Sequence, residues 1–290
     1  MSFRTVLINS PAKLSFKDNY LYIRGEKDSM IHLAEIHTLM IESTMVQITT
    51  RLLNELLNFK IRLIICDEKH NPSAELVPYN ASFNSTKKII TQMGWSEVKK
   101  QTLWTHIIAN KIRNQARMLK KYDCKNYDKL FNYVDELELD DLTNREGHAA
   151  KVYFNSLFSK EFSRDGTSAE TKALDYGYTV LLSAFNRAVT NLGYINQLGV
   201  KHKNEYNAFN LACDLIEPFR VLVDEVVVNN RGRLLDTEYK KEFVNLLNKE
   251  INYADKNTYL INAIPIYVGR CLKFLENEDF AEYIAYEFGV

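Results

Sequence analysis

The sequence predicts an α+β multidomain chain, with a small β-sandwich-like N-terminal domain followed by an all-α domain, and three observations carry that reading. The first 80 or so residues run in short β-branched and aromatic stretches broken by turn formers, which is the pattern of strands. From about Trp95 onward the apolar spacing is helical instead. Only 10 glycines and 5 prolines in 290 residues leave long helices uninterrupted.

Strands are expected at Thr5 to Asn9, Lys13 to Lys17 and Tyr20 to Arg24, read as hairpins, with Asp18-Asn19 as a tight turn between the last two. Ile36 to Glu42 continues the pattern. Gln47 to Asn58 reads as one short helix feeding the apolar strand Arg62 to Cys66. After Pro78, Tyr79-Asn80-Ala81-Ser82-Phe83-Asn84-Ser85-Thr86 is polar and unpatterned, so residues 1–80 form the β-rich domain, 81–95 a flexible linker and 96–290 the helical domain. Helices are expected near 96–122, 145–158, 168–191, 204–229, 236–250 and 256–275. Thr167-Ser168-Ala169-Glu170 is a capping box for the third.

Hydrophobic residues at 46% and charged residues at 26% describe an ordinary globular chain with little room for disorder. Thirty-seven basic side chains balance 37 acidic ones, so any polyanion site must be a local patch. No apolar run approaches the roughly 20 residues of a membrane span, and Met1-Ser2-Phe3-Arg4-Thr5 lacks the layout of a secretory signal. A cytoplasmic protein with no membrane partner is expected. Cys66, Cys124, Cys213 and Cys271 show no metal-ligand spacing and read as four free thiols.

The basic stretch Lys99 to Lys125 contains Asp123 as its only acid. Arg113, Arg117 and Lys121 recur every four residues on one helical face, with Lys111, Asn114 and Gln115 nearby, an arrangement able to track a DNA backbone. The alternative is a solvated face balanced by Asp135, Glu136, Glu138, Asp140 and Asp141.

Two segments carry candidate acids. In Thr143-Asn144-Arg145-Glu146-Gly147-His148, Glu146 is either a catalytic carboxylate or the last member of a capping box begun by Thr143. In Leu211-Ala212-Cys213-Asp214-Leu215-Ile216-Glu217-Pro218-Phe219-Arg220, Asp214 and Glu217 stand among core-facing residues, where a carboxylate needs a cation or an ion pair, and Arg220 offers the pair. With His202 they make an imidazole and two or three carboxylates, a set suited to magnesium or manganese and to phosphodiester chemistry. His148 stands beside Glu146 but points elsewhere on the helix.

The order of these segments resembles the CRISPR-associated integrases of the adaptation module, specifically the type II branch. The matching stretches are Lys13-Leu14-Ser15-Phe16-Lys17, Ile31 to Leu39, Ile65-Cys66-Asp67-Glu68-Lys69-His70-Asn71-Pro72, Glu146-Gly147 with its alanines, Ala173-Leu174-Asp175-Tyr176-Gly177-Tyr178, Gly199-Val200-Lys201-His202, and Asp214 to Arg220. The resemblance implies that Glu146, His202 and Glu217 are catalytic and bind magnesium or manganese, with Asp214 as a possible accessory acid. Relatives outside type II often carry aspartate where Glu217 stands. For the basic stretch, the resemblance implies DNA contacts by Lys111, Arg113, Gln115, Arg117 and Lys121.

The implied reaction inserts spacer DNA into a CRISPR array by attack of a 3′ hydroxyl on a phosphodiester, with associated endonuclease activity. The implied partners are double-stranded DNA (prespacer and CRISPR repeat), a second copy of the chain joined through residues 1–80, and a small ferredoxin-like subunit. Two alternatives are a structure-selective nuclease acting on branched DNA, and a non-catalytic DNA scaffold.

Overall fold

The computed structural model describes residues 4–68, 70, 72–78, 84–276, 283 and 285–289. Outside them lie Met1-Ser2-Phe3, Lys69 and Asn71 of one motif, and Tyr79 to Phe83 of the expected linker. The chain forms two compact units, Met1–Asn80 and Ala81–Val290.

In the first unit the strands are β1 (Arg4–Ile8), β2 (Ala12–Lys17), β3 (Tyr20–Arg24), β4 (Ser29–His32), β5 (Ile36–Ile41) and β6 (Val46–Ile48), then helix α1 (Thr50–Asn58), β7 (Arg62–Cys66) and β8 (Pro72–Glu75). They build two four-stranded sheets, ordered β1-β5-β7-β8 and β4-β3-β2-β6. β2 and β3 pair as the expected hairpin, with Asp18 and Asn19 both at positive φ, which Asp and Asn tolerate. β1 departs from the hairpin reading, because it pairs parallel with β5 and not with β2. Gln47 and Ile48 are strand, so only the later part of the 47–58 stretch is helical. There Thr49 caps α1, and Leu52 and Leu56, one turn apart, enter a core made with Leu14, Leu21, Leu39 and Leu63 of both sheets.

The second unit contains α2 (Ser85–Met93), α3 (Glu97–Lys121), α4 (Tyr127–Asp135), α5 (Arg145–Leu157), α6 (Ala169–Asn191), α7 (Asn210–Leu215), α8 (Arg220–Asn229), α9 (Thr237–Leu246), the hairpin β9 (Glu250–Tyr253) and β10 (Lys256–Tyr259), and α10 (Leu260–Glu276). α2 falls where a linker was expected. Gln92 fixes it: its amide nitrogen donates to the carbonyls of Ile195 (2.8 Å) and Leu198 (2.9 Å), and its oxygen accepts from the Ile195 amide (3.0 Å). The expected helix 204–229 is instead α7, a 3-10 turn Glu217–Phe219 and α8, because Pro218 cannot complete an uninterrupted helix. β9 and β10 correct the all-α reading, occupying the end of one expected helix and the start of the next.

α3 runs through this unit with Leu103, Trp104, Ile107, Ile108, Ile112 and Leu119 buried. α6 begins at Ser168, whose hydroxyl accepts from the Thr171 amide, so the cap is Ser168 and not Thr167, while Glu170 reaches the Gly232 amide. Gly177 lets α6 meet α8 and α9 closely: a Cβ there would stand 2.5 Å from Val223 Cγ1 and 2.6 Å from Phe243 Cδ1. Among the described residues no helix is long and apolar enough to cross a membrane. None of the four cysteines is in a disulfide.

Candidate active site

Glu146 projects from the first turn of α5. Asn144, in the left-handed region, accepts from the Gly147 amide, and the Asp141 carboxylate accepts from the amides of Arg145 (2.7 Å) and Glu146 (3.1 Å). The helix start is therefore capped by Asn144 and Asp141, not by a Thr143–Glu146 box, and the Glu146 side chain reaches outward to Lys111 Nζ at 2.6 Å. Glu217 comes from the 3-10 turn. Its Oε2 stands 2.6 Å from the same Nζ and its Oε1 accepts from Arg220 Nε at 2.9 Å, the ion pair its i,i+3 spacing predicts. Two acids, 71 positions apart in sequence, thus converge on one cation.

That cation is held in the interior, the Lys111 and Glu217 side chains being 11% and 6% exposed. Burial works against both charges. On Lys111 it is outweighed by Glu217 and then Glu146, which hold the amine above its ordinary pKa. On Glu217 it is outweighed by Arg220 and then Lys111, which hold the carboxyl below its own. Glu217 Oε2 is buried and receives no directed hydrogen bond, although Lys111 is within ion-pair range. It is an acceptor with an unused lone pair.

His202 and Asp214 form a second group. Asp214 is fully buried: its Oδ2 accepts from the amides of Val200 (2.6 Å) and Lys201 (2.9 Å), and its Oδ1 meets both the His202 amide (3.3 Å) and His202 Nδ1. A carboxylate receiving three N–H donors is an acceptor, so Nδ1 carries the proton, and the ring in its neutral form presents a lone pair at Nε2. Only glycine fits at 199, since a Cβ there would lie 2.5 Å from the His202 carbonyl and 2.7 Å from Asp214 Oδ2. The Asp214 bond raises the His202 pKa against desolvation, and Asp214, Glu217 and Glu146 add to the rise through their charge. Trp104 meets the imidazole edge-on at 5.7 Å.

The structure therefore brings Glu146 and Glu217 together at Lys111 and turns His202 toward Asp214. Among the described residues no three His, Cys, Asp or Glu side chains stand close enough to hold one ion. Glu217 borders a 220 Å³ cavity with Lys111, Gln115, Arg164, Tyr178 and Arg220, whereas His202 borders a 490 Å³ cavity with Trp95, Lys100 and Tyr206. Chemically the set fits a hard divalent cation: two carboxyl groups already flank a positive charge, one through an oxygen that receives no directed hydrogen bond, and a fixed imidazole lies within reach of their charge.

The basic face divides. Arg113 is exposed, but Arg117 pairs with Glu287 at 3.0 Å and Lys121 with Glu225 at 2.6 Å. Asn114 and Gln115, expected as donors to phosphate, are buried, and Asn114 bonds within the protein. His148 packs beside Tyr133, away from Glu146. Sequence reading missed the role of Lys111 at the centre of the acids. The signal was present, because Lys111 shares its helix face with the buried Ile107 and Ile108, where a cation demands acidic partners.

The family model for the CRISPR associated protein Cas1 matches residues 6–252. The chain is 34% identical over 271 residues, 91% of its own length and 89% of the relative's, to the CRISPR-associated endonuclease Cas1 of Neisseria meningitidis serogroup C. A casposase bound to integration product superposes with a TM-score of 0.79 at 18% identity, covering 100% of this chain and 96% of that one. A Cas6-RT-Cas1–Cas2 complex superposes at 0.74 and 19% identity; the match covers 98% of this chain but spans only 36% of that longer one. At such identities the solved structures speak for the fold, a mixed α/β chain with N-terminal strands and a C-terminal helical region. With the family model covering most of its length and the Neisseria relative nearly all of it, the chain belongs to the CRISPR-associated Cas1 family.

Proposed function

We propose that this Cas1-family chain is a metal-dependent DNA integrase and endonuclease of CRISPR adaptation, of the type II branch, that inserts spacer DNA at a CRISPR repeat. The observation that carries the reading is the convergence of Glu146 and Glu217 on a single interior cation position, within the field of His202. Magnesium or manganese would be held by Glu146, Glu217 and His202, where it would neutralise charge developing on the attacked phosphate. The chain's own residues prepare that place. Asp214 fixes the His202 ring with Nε2 free, and is thereby a positioning group more than a further ligand. Arg220 holds one oxygen of Glu217, and the other faces the cation position now taken by Lys111 Nζ. In the reaction a donor 3′ oxygen forms a new bond to phosphorus as the bond to the repeat's own 3′ oxygen breaks; the attacking hydroxyl loses its proton and the departing oxygen gains one.

The name of the Neisseria relative, an endonuclease, favours a second reaction at the same residues in which water replaces the donor hydroxyl. The neighbour that contains Cas2 supports assembly with a small ferredoxin-like subunit, and residues 1–80 are the proposed homodimer contact. Double-stranded DNA runs along the exposed Arg113 and the neighbouring cations Arg117 and Lys121, in the cytoplasm, with the buried Lys111 and Gln115 set back from it.

The test combines the purified chain, its partner subunit, a double-stranded donor, a repeat-bearing plasmid and manganese. Joined strands containing the donor are expected, and they disappear in Glu146→Gln and His202→Ala. Shortened strands alone would leave only the nuclease, and undiminished spacer acquisition by Glu146→Ala would make the chain a scaffold.

A further inference from the structure

The turn that carries Glu217 is held from behind by a distant part of the chain. The Phe219 ring stacks on Tyr286, with centroids 4.4 Å apart and planes 11° from parallel. Tyr286 is in turn gripped by two asparagines one turn apart on α3. Asn110 donates to the Tyr286 carbonyl at 2.7 Å and accepts from the Tyr286 amide at 3.1 Å, taking both polar atoms of that residue's backbone. Asn114 donates to the same carbonyl at 2.8 Å and to the Pro218 carbonyl at 2.9 Å, and accepts from the Phe288 amide at 2.9 Å. One side-chain amide thus ties the backbone next to Glu217 to the segment 286–288. Arg117 pairs with Glu287, and Lys121 lies over the Phe288 ring at 5.3 Å. Tyr286 and Phe288 are 2% and 3% exposed.

Asparagine is a poor interior residue for a helix, because its side chain competes for backbone groups and its burial is costly when unpaired. Here both amides bond outside their own helix, to the segment 286–288. The turn they support is weak by itself: three residues of 3-10 geometry, held by the Phe219 amide to Ile216 carbonyl bond at 2.9 Å and by the Arg220 amide to Glu217 carbonyl bond. Its direction, and with it the direction of Glu217, is set by what packs against Pro218 and Phe219.

We propose that Tyr286, clamped by Asn110 and Asn114, is a positioning residue for Glu217: it fixes the turn so that the carboxylate meets the cation site. The proposal rests on the reading of Glu217 as a metal-binding catalytic acid. Displacement of a reacting group by about 1 Å lowers rates by about 10²-fold, so a loosened clamp should be visible in turnover.

The experiment compares Tyr286→Ala, Tyr286→Phe and Asn110→Ala with the parent chain in the full assembly, and measures manganese binding to the isolated chain by electron paramagnetic resonance. In Tyr286→Ala, strand joining should slow at least about tenfold in kcat with KM for DNA unchanged, and manganese Kd should weaken by about tenfold. Amide exchange should rise at 217–219 and not in α6. Tyr286→Phe, which keeps the stacked ring, should return all three values to near the parent's. Unchanged joining and manganese affinity in Tyr286→Ala overturns the proposal. If Tyr286→Ala loses protection throughout the helical unit, Asn110→Ala decides: it removes only the bonds to Tyr286, and parent-like manganese affinity there overturns the proposal too. A parent chain that joins no strands, yet binds manganese more tightly than Tyr286→Ala, leaves the clamp standing and removes the integrase reading instead.

Discussion

Lys111 Nζ lies 2.6 Å from Glu217 Oε2, inside the protein, and at the same distance from Glu146 Oε1. The ammonium neutralises two carboxylates that would otherwise repel each other in a poorly solvated interior. It is a structural counter-ion and, under the proposed function, a competitor for the metal ion.

Lys111→Met should therefore destabilise the metal-free protein by about 3 kcal/mol, the usual scale for breaking a buried ion pair from one side. Manganese should then raise the melting temperature of the variant more than that of the parent. Thermal unfolding with and without the ion decides it, and equal shifts in the two proteins would mean that Lys111 does not hold the cation position.

Asp214→Ala removes the acceptor of three backbone amides and of His202 Nδ1. A loss of about 2–4 kcal/mol is expected, as buried donors go unpaired. Nitrogen-15 spectra of His202 should show a mixture of ring tautomers in place of one. Gly199→Ala, which drives a methyl group into the same carboxylate, should cost about 1–3 kcal/mol in the same direction. A single tautomer in Asp214→Ala would show that the ring is fixed by something else.

Asp224 gives the pH dependence. It is buried under Tyr153 and Tyr178, both of which donate to it, yet burial dominates and pushes its carboxyl up from 3.8 to about 6. A carboxyl raised on folding favours the folded state most fully below its unfolded pKa, and that contribution is lost as pH rises through about 6. About 3 kcal/mol is at stake across this interval. Asp224→Asn should accordingly gain in melting temperature relative to the parent as pH climbs from about 5 to 7. A gap that stays constant over that range would contradict the assignment.

Of the basic face, Arg113 and Lys121 are exposed, but Lys121 is engaged with Glu225. Arg113→Ala should weaken DNA binding and reduce the slope of log affinity against log salt by about 1. Lys121→Ala should change the slope less. The reverse order would place the DNA backbone along Lys121.

What could be read from the sequence follows from how local each signal was. The β2–β3 turn was legible because Asp18 and Asn19 accept positive φ, whereas the β9–β10 turn places Ala254 and Asp255 there, and alanine gives no turn signal. α6 was found almost to the residue from its apolar period. The 204–229 stretch misled because its apolar residues are buried on every side, which hides the break at Glu217–Phe219. In the site, Glu217 stood out as an acid in apolar company and Glu146 as an acid at a helix start. Lys111 was grouped with the DNA-facing cations Arg113, Arg117 and Lys121 of the same basic stretch, although it lies on the helix face of Ile107 and Ile108 and points inward.

Gln92 has a practical consequence for anyone trimming this protein. Its three bonds make α2 a splint for residues 195–198, which lead directly into Gly199 and the His202 loop. A truncated form that starts at Trp95, as composition alone would invite, discards the splint and should yield a soluble body with a slack histidine. The shortest piece worth expressing for chemistry begins no later than Ser85.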